Sequence, residues 1–400
     1  MTAPIHPVNP ALAATFPPPV MEARRWLEGV DHPADRPLLN LSQAAPADPP
    51  PAALRAAMAR MVEDDPEAHL YGPVLGLPAL RERLAADWAA HYGGAVSAGH
   101  VAITSGCNQA FAAAVSTLAG AGDNLVVPVP FYFNHAMWLS MAGIEARLHE
   151  TGPDLLPDPD AVAALIDGRT RAIVLVTPNN PCGVEYPPAL MAAFRDLARA
   201  RGIALVVDET YRDFHAAEGA PHDLLADPDW DDTLIQLYSF SKAYRLTGHR
   251  VGAMIAAPAR LAEVEKWLDT VTICPAQLGQ RAALWGMEHL GDWLAGERRE
   301  VLARRAAVEA GLAALPGWDA LGVGAYFAYA RHPFPERSDD LCRRLVRDAG
   351  LLLLPGTMFG PLREAGGAGR SEATVRIAYA NADRAGIATL FDRLRALPAA

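Results

Sequence analysis

The chain has 400 residues, 51% hydrophobic and 20% charged, with a formal net charge of −11. Such a length exceeds what one compact core needs, so two domains are expected, and the balance is that of a folded chain. The negative charge, with no run of Lys or Arg to offset it, argues against nucleic acid as a partner, and no eighteen apolar residues run uninterrupted to span a membrane.

Pro and Ala dominate the first 45 or so residues, with PPP at 17–19 and 49–51, which predicts an extended arm rather than packed helix. That segment has no charged start followed by a continuous apolar stretch, so export is not expected. Apolar positions then recur at helical spacing in ALRAAMARMV and in PALRERLAADWAAHY, where Pro78 suits a first helical turn.

Short β-rich runs follow, alternating with helical stretches: VAIT at 101–104, NLVVPVP at 124–130, AIVLVT at 172–177, IALVVDE at 203–209, LIQLYSF at 234–240 and VGAMIAA at 251–257. This rhythm predicts an α/β fold with a parallel sheet covered on both faces. Polar or Gly-containing segments (SGCN, FYFN, PNNPCG, TYRDF, SKAYRLTG) follow most of the runs, at the carboxyl ends where open α/β sheets bind ligands. From about residue 288 a long Arg- and Glu-rich helical pattern leads into GAYFAYA, LLLLPG and TVRIAYA, read as a smaller α+β domain. The expected division is an arm and the start of the small domain over 1–48, a large domain over 49–287 and a small domain over 288–400. Cys107, Cys182, Cys274 and Cys342 are scattered without a CxxC pair, which disfavours a metal cluster or a secreted disulfide framework and suits a reducing cytoplasm.

Lys242 sits in Ser239-Phe240-Ser241-Lys242 directly after LIQLY, at a sheet edge. Desolvation and neighbouring cations lower a lysine pKa and let its amine attack a carbonyl, although the segment by itself favours a surface lysine. Asp208 closes IALVVD, with Tyr211 three residues on; a strand-end carboxylate suits a pyridinium nitrogen, or else a helix cap or a salt bridge. Ser105-Gly106-Cys107-Asn108, between a strand and a helix, makes either a phosphate seat or a simple capped helix start. Asn180, in NNPCG, either donates to a ring hydroxyl or closes a plain turn. Arg376, inside TVRIAYA, needs an anion, which is a protein or a substrate carboxylate, and Arg250 lies eight residues after Lys242.

Together SFSKAYRLTGHRVG, NNPCG, VVDETY and VRIAYA resemble the fold-type I aminotransferases of class I/II, the aspartate aminotransferase-like family, over roughly residues 38–385. The resemblance implies pyridoxal 5′-phosphate as cofactor, a seven-stranded, mostly parallel sheet in the large domain, and a homodimer. It makes Lys242 the Schiff-base lysine and proton shuttle, Asp208 the partner of the ring nitrogen, and Tyr211 and Asn180 the partners of the ring hydroxyl oxygen. Ser105, Gly106, Cys107, Ser239, Ser241 and Arg250 become the phosphate shell, with Tyr71 reaching the phosphate of the partner subunit. Tyr132 stacks on the cofactor, His135 buttresses the aspartate, and Arg376 clamps the substrate α-carboxylate beside Ala44.

Three positions depart from the pattern: Ala44 stands where many relatives carry Gly, Cys182 replaces the Thr of the NPTG signature, and Cys107 stands where a small or hydroxyl residue is common. The implied reaction moves an amino group from an L-amino acid to a 2-oxo acid by a ping-pong route; the same site also suits a carbon–sulfur β-lyase. Some transcription regulators borrow this fold, but the Pro-rich stretch before it is too short for their winged-helix module. Tyr132, Trp138, Phe327 and Tyr329 suggest a pocket for neutral or aromatic side chains, with core packing the other reading for Phe327 and Tyr329.

Overall fold

The computed structural model describes residues 6–46 and 48–397. Its centre is a seven-stranded sheet of β1 (Val101–Thr104), β2 (Asn124–Val129), β3 (Glu145–Glu150), β4 (Thr170–Val176), β5 (Ala204–Asp208), β6 (Leu234–Ser239) and β7 (Gly252–Ile255), in the order β1-β7-β6-β5-β4-β2-β3. The apolar runs become strands because they are buried on both faces: Leu205 and Val207 pack with Leu84 and Trp88, while Val206 points the other way, into the cluster around Phe111 and Met254. Each such fully buried side chain contributes roughly 2 kcal/mol.

The sheet is seven-stranded and mostly parallel, as the resemblance implies, and two of its features are not announced by the apolar runs. β7 runs antiparallel to both its neighbours, so the sheet is mixed. The link from Phe240 to Val251 holds only the short helices Phe240–Ala243 and Thr247–His249, too little for the crossover a parallel return needs. β3 is an additional strand at the open edge; its sequence EARLHE is polar and half-exposed, so no apolar run announces it.

A second, antiparallel sheet consists of β8 (Asp319–Gly324), β9 (Phe327–Arg331), β10 (Leu354–Pro355) and β11 (Thr374–Ile377), in the order β10-β11-β9-β8. Val308 and Leu312 of the helix Gly291–Ala313, and Leu390 and Phe391 of the helix Arg384–Arg395, cover it. The N-terminal segment returns to this part of the molecule, since Leu39 and Asn40 pair with Leu351 and Leu352 and Leu41 is buried in the same cluster.

The predicted arm is not simply extended. Pro10–Ala14 and Pro19–Arg25 are short helices, each opened by a proline at its first position, where the missing N–H costs nothing and φ is already helical. Asn9 caps the first, and Ala23 of the second is fully buried. The first five residues of that arm and Ala47 lie outside the described residues.

Candidate active site

Strand ends and the turns after them bring the chemical groups to one edge of the large sheet. Asp208 is the last residue of β5, Ser239 the last of β6, and Lys242 lies in the single helical turn that follows. Asn180 follows β4, Tyr132 follows β2, and Cys107 opens the helix after β1. Arg376 comes from β11 in the other sheet. These residues surround a cavity of about 370 Å³, a size suited to a small ligand.

Asp208 is 3% exposed. Burial alone would raise its carboxyl, but His135 and Thr210 hold it below the ordinary range. His135 Nε2 lies 3.2 Å from one oxygen, and the Thr210 N–H donates to the other at 2.9 Å. His135 is itself fixed by stacking on Phe111, with ring centroids 3.9 Å apart. An anion is thus kept ionised at the cavity floor.

Lys242 is half-buried; its Nζ faces the cavity, donates to the Ala44 carbonyl and lies 5.9 Å from the Tyr211 ring centre. Desolvation, followed by the positive charges of Arg250 and Arg376, lowers its pKa to about 8. A substantial neutral fraction near physiological pH is what a nucleophilic amine requires.

Arg376 is 1% exposed and sits between Phe327 and Phe359, its guanidinium carbon 4.9 and 4.8 Å from the two ring centres. One Nη donates to Asn180 Oδ1 at 2.8 Å and the other to the Ser42 carbonyl, while Nε is buried without a partner. Among the described residues no carboxylate pairs with it, and burial lowers its pKa to about 10. A buried guanidinium held only by neutral acceptors retains a strong preference for an anion.

A further cradle lies at the helix Cys107–Ser116. Gly106 has φ +89, and a Cβ there would fall 2.2 Å from an Arg250 nitrogen, so only glycine lets the guanidinium approach this helix start. Arg250 Nη1 donates to Ser241 Oγ at 3.3 Å, and the Ser241 N–H donates to Ser239 Oγ at 3.3 Å. Hydroxyls, a guanidinium and helix N–H groups together favour a phosphate-like anion. Gly183, in the loop that presents Asn180, plays the corresponding part toward the second sheet: at φ +74 its Cβ would fall 2.4 Å from the Gly324 nitrogen.

The cavity therefore gathers Lys242, Asp208, Tyr211, Asn180, Arg376, Arg250, Ser239, Ser241, Cys107, Tyr132 and Ala44. Gly106 lies just behind the lining, and His135 sits behind Asp208. Ser105 is set back, its N–H held by Gln109 Oε1 at 2.6 Å, and Tyr71 stands on the surface, 80% exposed. Phe327 and Tyr329 are fully buried core residues, as the packing alternative holds, and Trp138 faces away from this cavity. Cys182 is buried outside the lining, packed near Phe133 and Tyr329.

Sequence reading missed Thr210, Gln43 and the N-terminal trio Val20, Met21 and Arg24, all of which line the cavity. One available signal was the lysine count: the chain has two, and Lys266 is 71% exposed in an ion pair with Glu263.

A buried carboxylate, a cavity-facing amine of lowered pKa and a buried arginine without a carboxylate partner meet at the carboxyl edge of an α/β sheet, an arrangement chemically suited to an anionic ligand bearing a carbonyl. The family model for aminotransferase class I and II matches residues 36–394, and the chain belongs to that family, whose enzymes depend on pyridoxal 5′-phosphate. It is 31% identical to valine–pyruvate aminotransferase of Mycobacterium tuberculosis, over 82% of this chain and 84% of that protein. Identity to the aromatic aminotransferase ISS1 of Arabidopsis thaliana is 30%, over 74% and 76%. A solved structure of Thermus thermophilus aspartate aminotransferase with maleate superposes with a TM-score of 0.86 at 24% identity, covering 98% of this chain and 99% of that one, a likeness of fold.

Proposed function

We propose that this aminotransferase takes the amino group of a neutral or aromatic L-amino acid and gives it to a 2-oxo acid in two successive half-reactions at one site. The observation that carries the reading is the placement of Lys242, the cavity-facing member of the chain's two lysines, between the Asp208 carboxylate and the Arg376 guanidinium. The residues fit pyridoxal 5′-phosphate. The Gly106–Arg250–Ser241 cradle takes the phosphate, Cys107 and Ser239 complete its shell with Ser105 near by, and Asp208 pairs the ring nitrogen. Tyr211 and Asn180 flank the ring hydroxyl, and Tyr132 covers one face.

When bound, that cofactor supplies an electron sink for the carbanion left at the substrate α-carbon. Lys242 would hold the cofactor's aldehyde through its amine and, as the cavity-lining lysine, would be the base that takes up and returns the substrate α-proton. Arg376, beside Ala44, would hold the substrate α-carboxylate and so orient its α-carbon within the cavity. His135 keeps Asp208 ionised and oriented.

Val20, Met21, Tyr132 and Phe133 give the mouth an apolar side, which supports a neutral or aromatic donor. The relatives' names, aromatic and valine–pyruvate aminotransferase, agree with that substrate class. We also propose the two-domain division at about residues 48 and 288, and a cytoplasmic homodimer in which Tyr71 reaches the partner's cofactor phosphate. Exposed Leu70, Val271 and Ile273 supply apolar surface for that contact, and the four cysteines are free. No described helix is long and apolar enough to cross a membrane.

The test is borohydride reduction of the cofactor-loaded protein followed by peptide mapping. The adduct is expected on the peptide holding residue 242 and not on that holding 266. A panel of amino acids is then scored for amino transfer to 2-oxoglutarate. Pyruvate release from cysteine conjugates without amino transfer would instead make the protein a carbon–sulfur lyase.

A further inference from the structure

A second cavity, of about 330 Å³, is lined by the helix Gly291–Ala313, the turn after β8 and the start of the helix Arg384–Arg395. Four carboxylates face it, Asp48, Glu297, Glu300 and Asp383, against two guanidiniums, Arg245 and Arg304. The active-site cavity has the reverse balance, with Asp208 set against Lys242, Arg250, Arg376 and Arg24. Two cavities of similar size in one chain thus carry opposite charge, and the second is the one that attracts a cation.

The two guanidiniums do not exhaust the acids. Arg245 donates to Glu297 Oε2 through Nε at 3.1 Å and Nη2 at 2.7 Å, and its Nη1 lies 3.2 Å from Asp48 Oδ2. Glu300 is shared by Arg304 and Arg384, and Asp383 Oδ1 caps its helix by accepting from the Gly386 N–H at 2.8 Å. Among the described residues, Glu297 Oε1, Asp48 Oδ1 and Asp383 Oδ2 accept no hydrogen bond. Tyr326, in the turn between β8 and β9, adds an independent sign. It is 4% exposed and lines this cavity, and its ring is held against Tyr211 and Phe214 at centroid distances of 5.4 and 4.9 Å. Its hydroxyl makes no hydrogen bond among the described residues, a costly state for a buried polar group unless something in the cavity meets it. Leu39, Pro46, Val301 and Ala382 supply an apolar wall.

We propose that this second cavity binds a small organic amine in its ammonium form. The N–H groups meet the open carboxylate oxygens and the Tyr326 hydroxyl oxygen, and the carbon chain lies on the apolar wall. A metal ion fits less well: among the described residues no three His, Cys, Asp or Glu stand close enough to share one, and the volume far exceeds that of a bare ion. An anion would meet two carboxylates left over after the guanidiniums are paired. The site lies apart from Lys242 and Asp208, and its occupancy does not depend on amino transfer.

The experiment is calorimetry on the holoenzyme with N,N-dimethylbutylamine as the probe. This tertiary amine is a cation at neutral pH and cannot form an imine with the cofactor aldehyde, so the active site does not capture it covalently. Pentanoate serves as the anionic control. We expect one saturable site per chain for the amine, with Kd below about 10 mM, and no saturable binding of pentanoate in this cavity. Two conservative variants locate the site: Tyr326→Phe keeps the ring against Tyr211, and Asp383→Asn keeps the helix cap. Each should weaken amine binding by about tenfold, with the melting temperature followed alongside to show that the variant is folded. Weakening of at least about threefold in either folded variant upholds the assignment. Absence of saturable amine binding to the wild type overturns it, as does amine binding that both variants leave within about threefold of wild type. Pentanoate binding that Tyr326→Phe or Asp383→Asn alters would overturn it as well, because the cavity would then be selecting an anion.

Discussion

The floor and the mouth of the cavity are built in opposite ways. Asp208, Ser239 and Lys242 stand at or just after the ends of adjacent, wholly buried strands, so their positions are inherited from the sheet's hydrogen bonding. Arg24, Gln43 and Ala44 come instead from an N-terminal segment held by short helices and a two-residue ladder to Leu351 and Leu352. The floor is rigid and few in chemical kind, as bond making and breaking require; the mouth is exposed and mixed in polarity, as choosing among substrates requires. Substitutions should respect this division, with floor changes abolishing turnover and mouth changes redistributing it.

The largest effect expected is that of Lys242→Ala, which removes both the anchoring amine and the proton carrier. Amino transfer should fall by at least ~10⁴-fold, with the melting temperature of the cofactor-free protein little lowered; activity within tenfold of wild type would break the distinction between floor and mouth. Arg376→Lys comes next, because a point charge replaces a planar fork at a buried site. A loss of roughly 10²-fold in kcat/KM across all amino acids is expected, acidic or neutral. A loss confined to acidic substrates would make Arg376 a residue that chooses among substrates rather than one that holds the α-carboxylate common to them all.

The titration of Lys242 sharpens the same point. In the cofactor-free protein its pKa is lowered to about 8 from 10.5, so the folded state binds fewer protons there than the unfolded state between those pH values. Stability should therefore rise with pH across that window and lose the gain as pH falls through 8, and Lys242→Met should remove this slope. Denaturant unfolding of both proteins at pH 7.5, 9 and 10.5 checks it. Labelling of the amine at 242, with Lys266 in the same digest as reference, should follow a midpoint near 8. A midpoint above 10 would mean that the floor does not desolvate the amine.

The floor was legible in the sequence because each of its residues closes an apolar run. IALVVD, LIQLYS and AIVLVT announce strands, and the next polar residue must then lie at the carboxyl edge. Family resemblance added roles to these positions. The mouth carried no such signal: prolines at 17–19 favoured extended chain, and only the packing of Ala23 and the cap at Asn9 reveal helices. Phe327 and Tyr329 sit four and two residues before the end of β9, and alternation alone could not say whether they face ligand or core. β3 was missed for the reverse reason, since an edge strand with Glu145, Arg147 and Glu150 lacks the apolar pattern that burial imposes on its neighbours.

The smallest effect concerns Cys182, which replaces a Thr of the family signature. Its side chain is 1% exposed and packs near Phe133, Leu155 and Tyr329, and it does not line the cavity. Burial pushes its thiol pKa well up, so it remains a neutral, small apolar group. The local turn is held without it, because the Cys182 N–H donates to Asn179 Oδ1 at 3.0 Å and the Gly183 N–H to the Asn179 carbonyl at 2.7 Å. Cys182→Thr would bury a hydroxyl among apolar groups, so a loss of about 1 kcal/mol in stability is expected, with cofactor affinity changed no more than about twofold. Denaturant unfolding and a cofactor titration measure the two separately. A tenfold gain in cofactor affinity on restoring Thr would show that this position communicates with the floor through Asn180, and the line between packing and chemistry would have to be redrawn one residue closer to the ring.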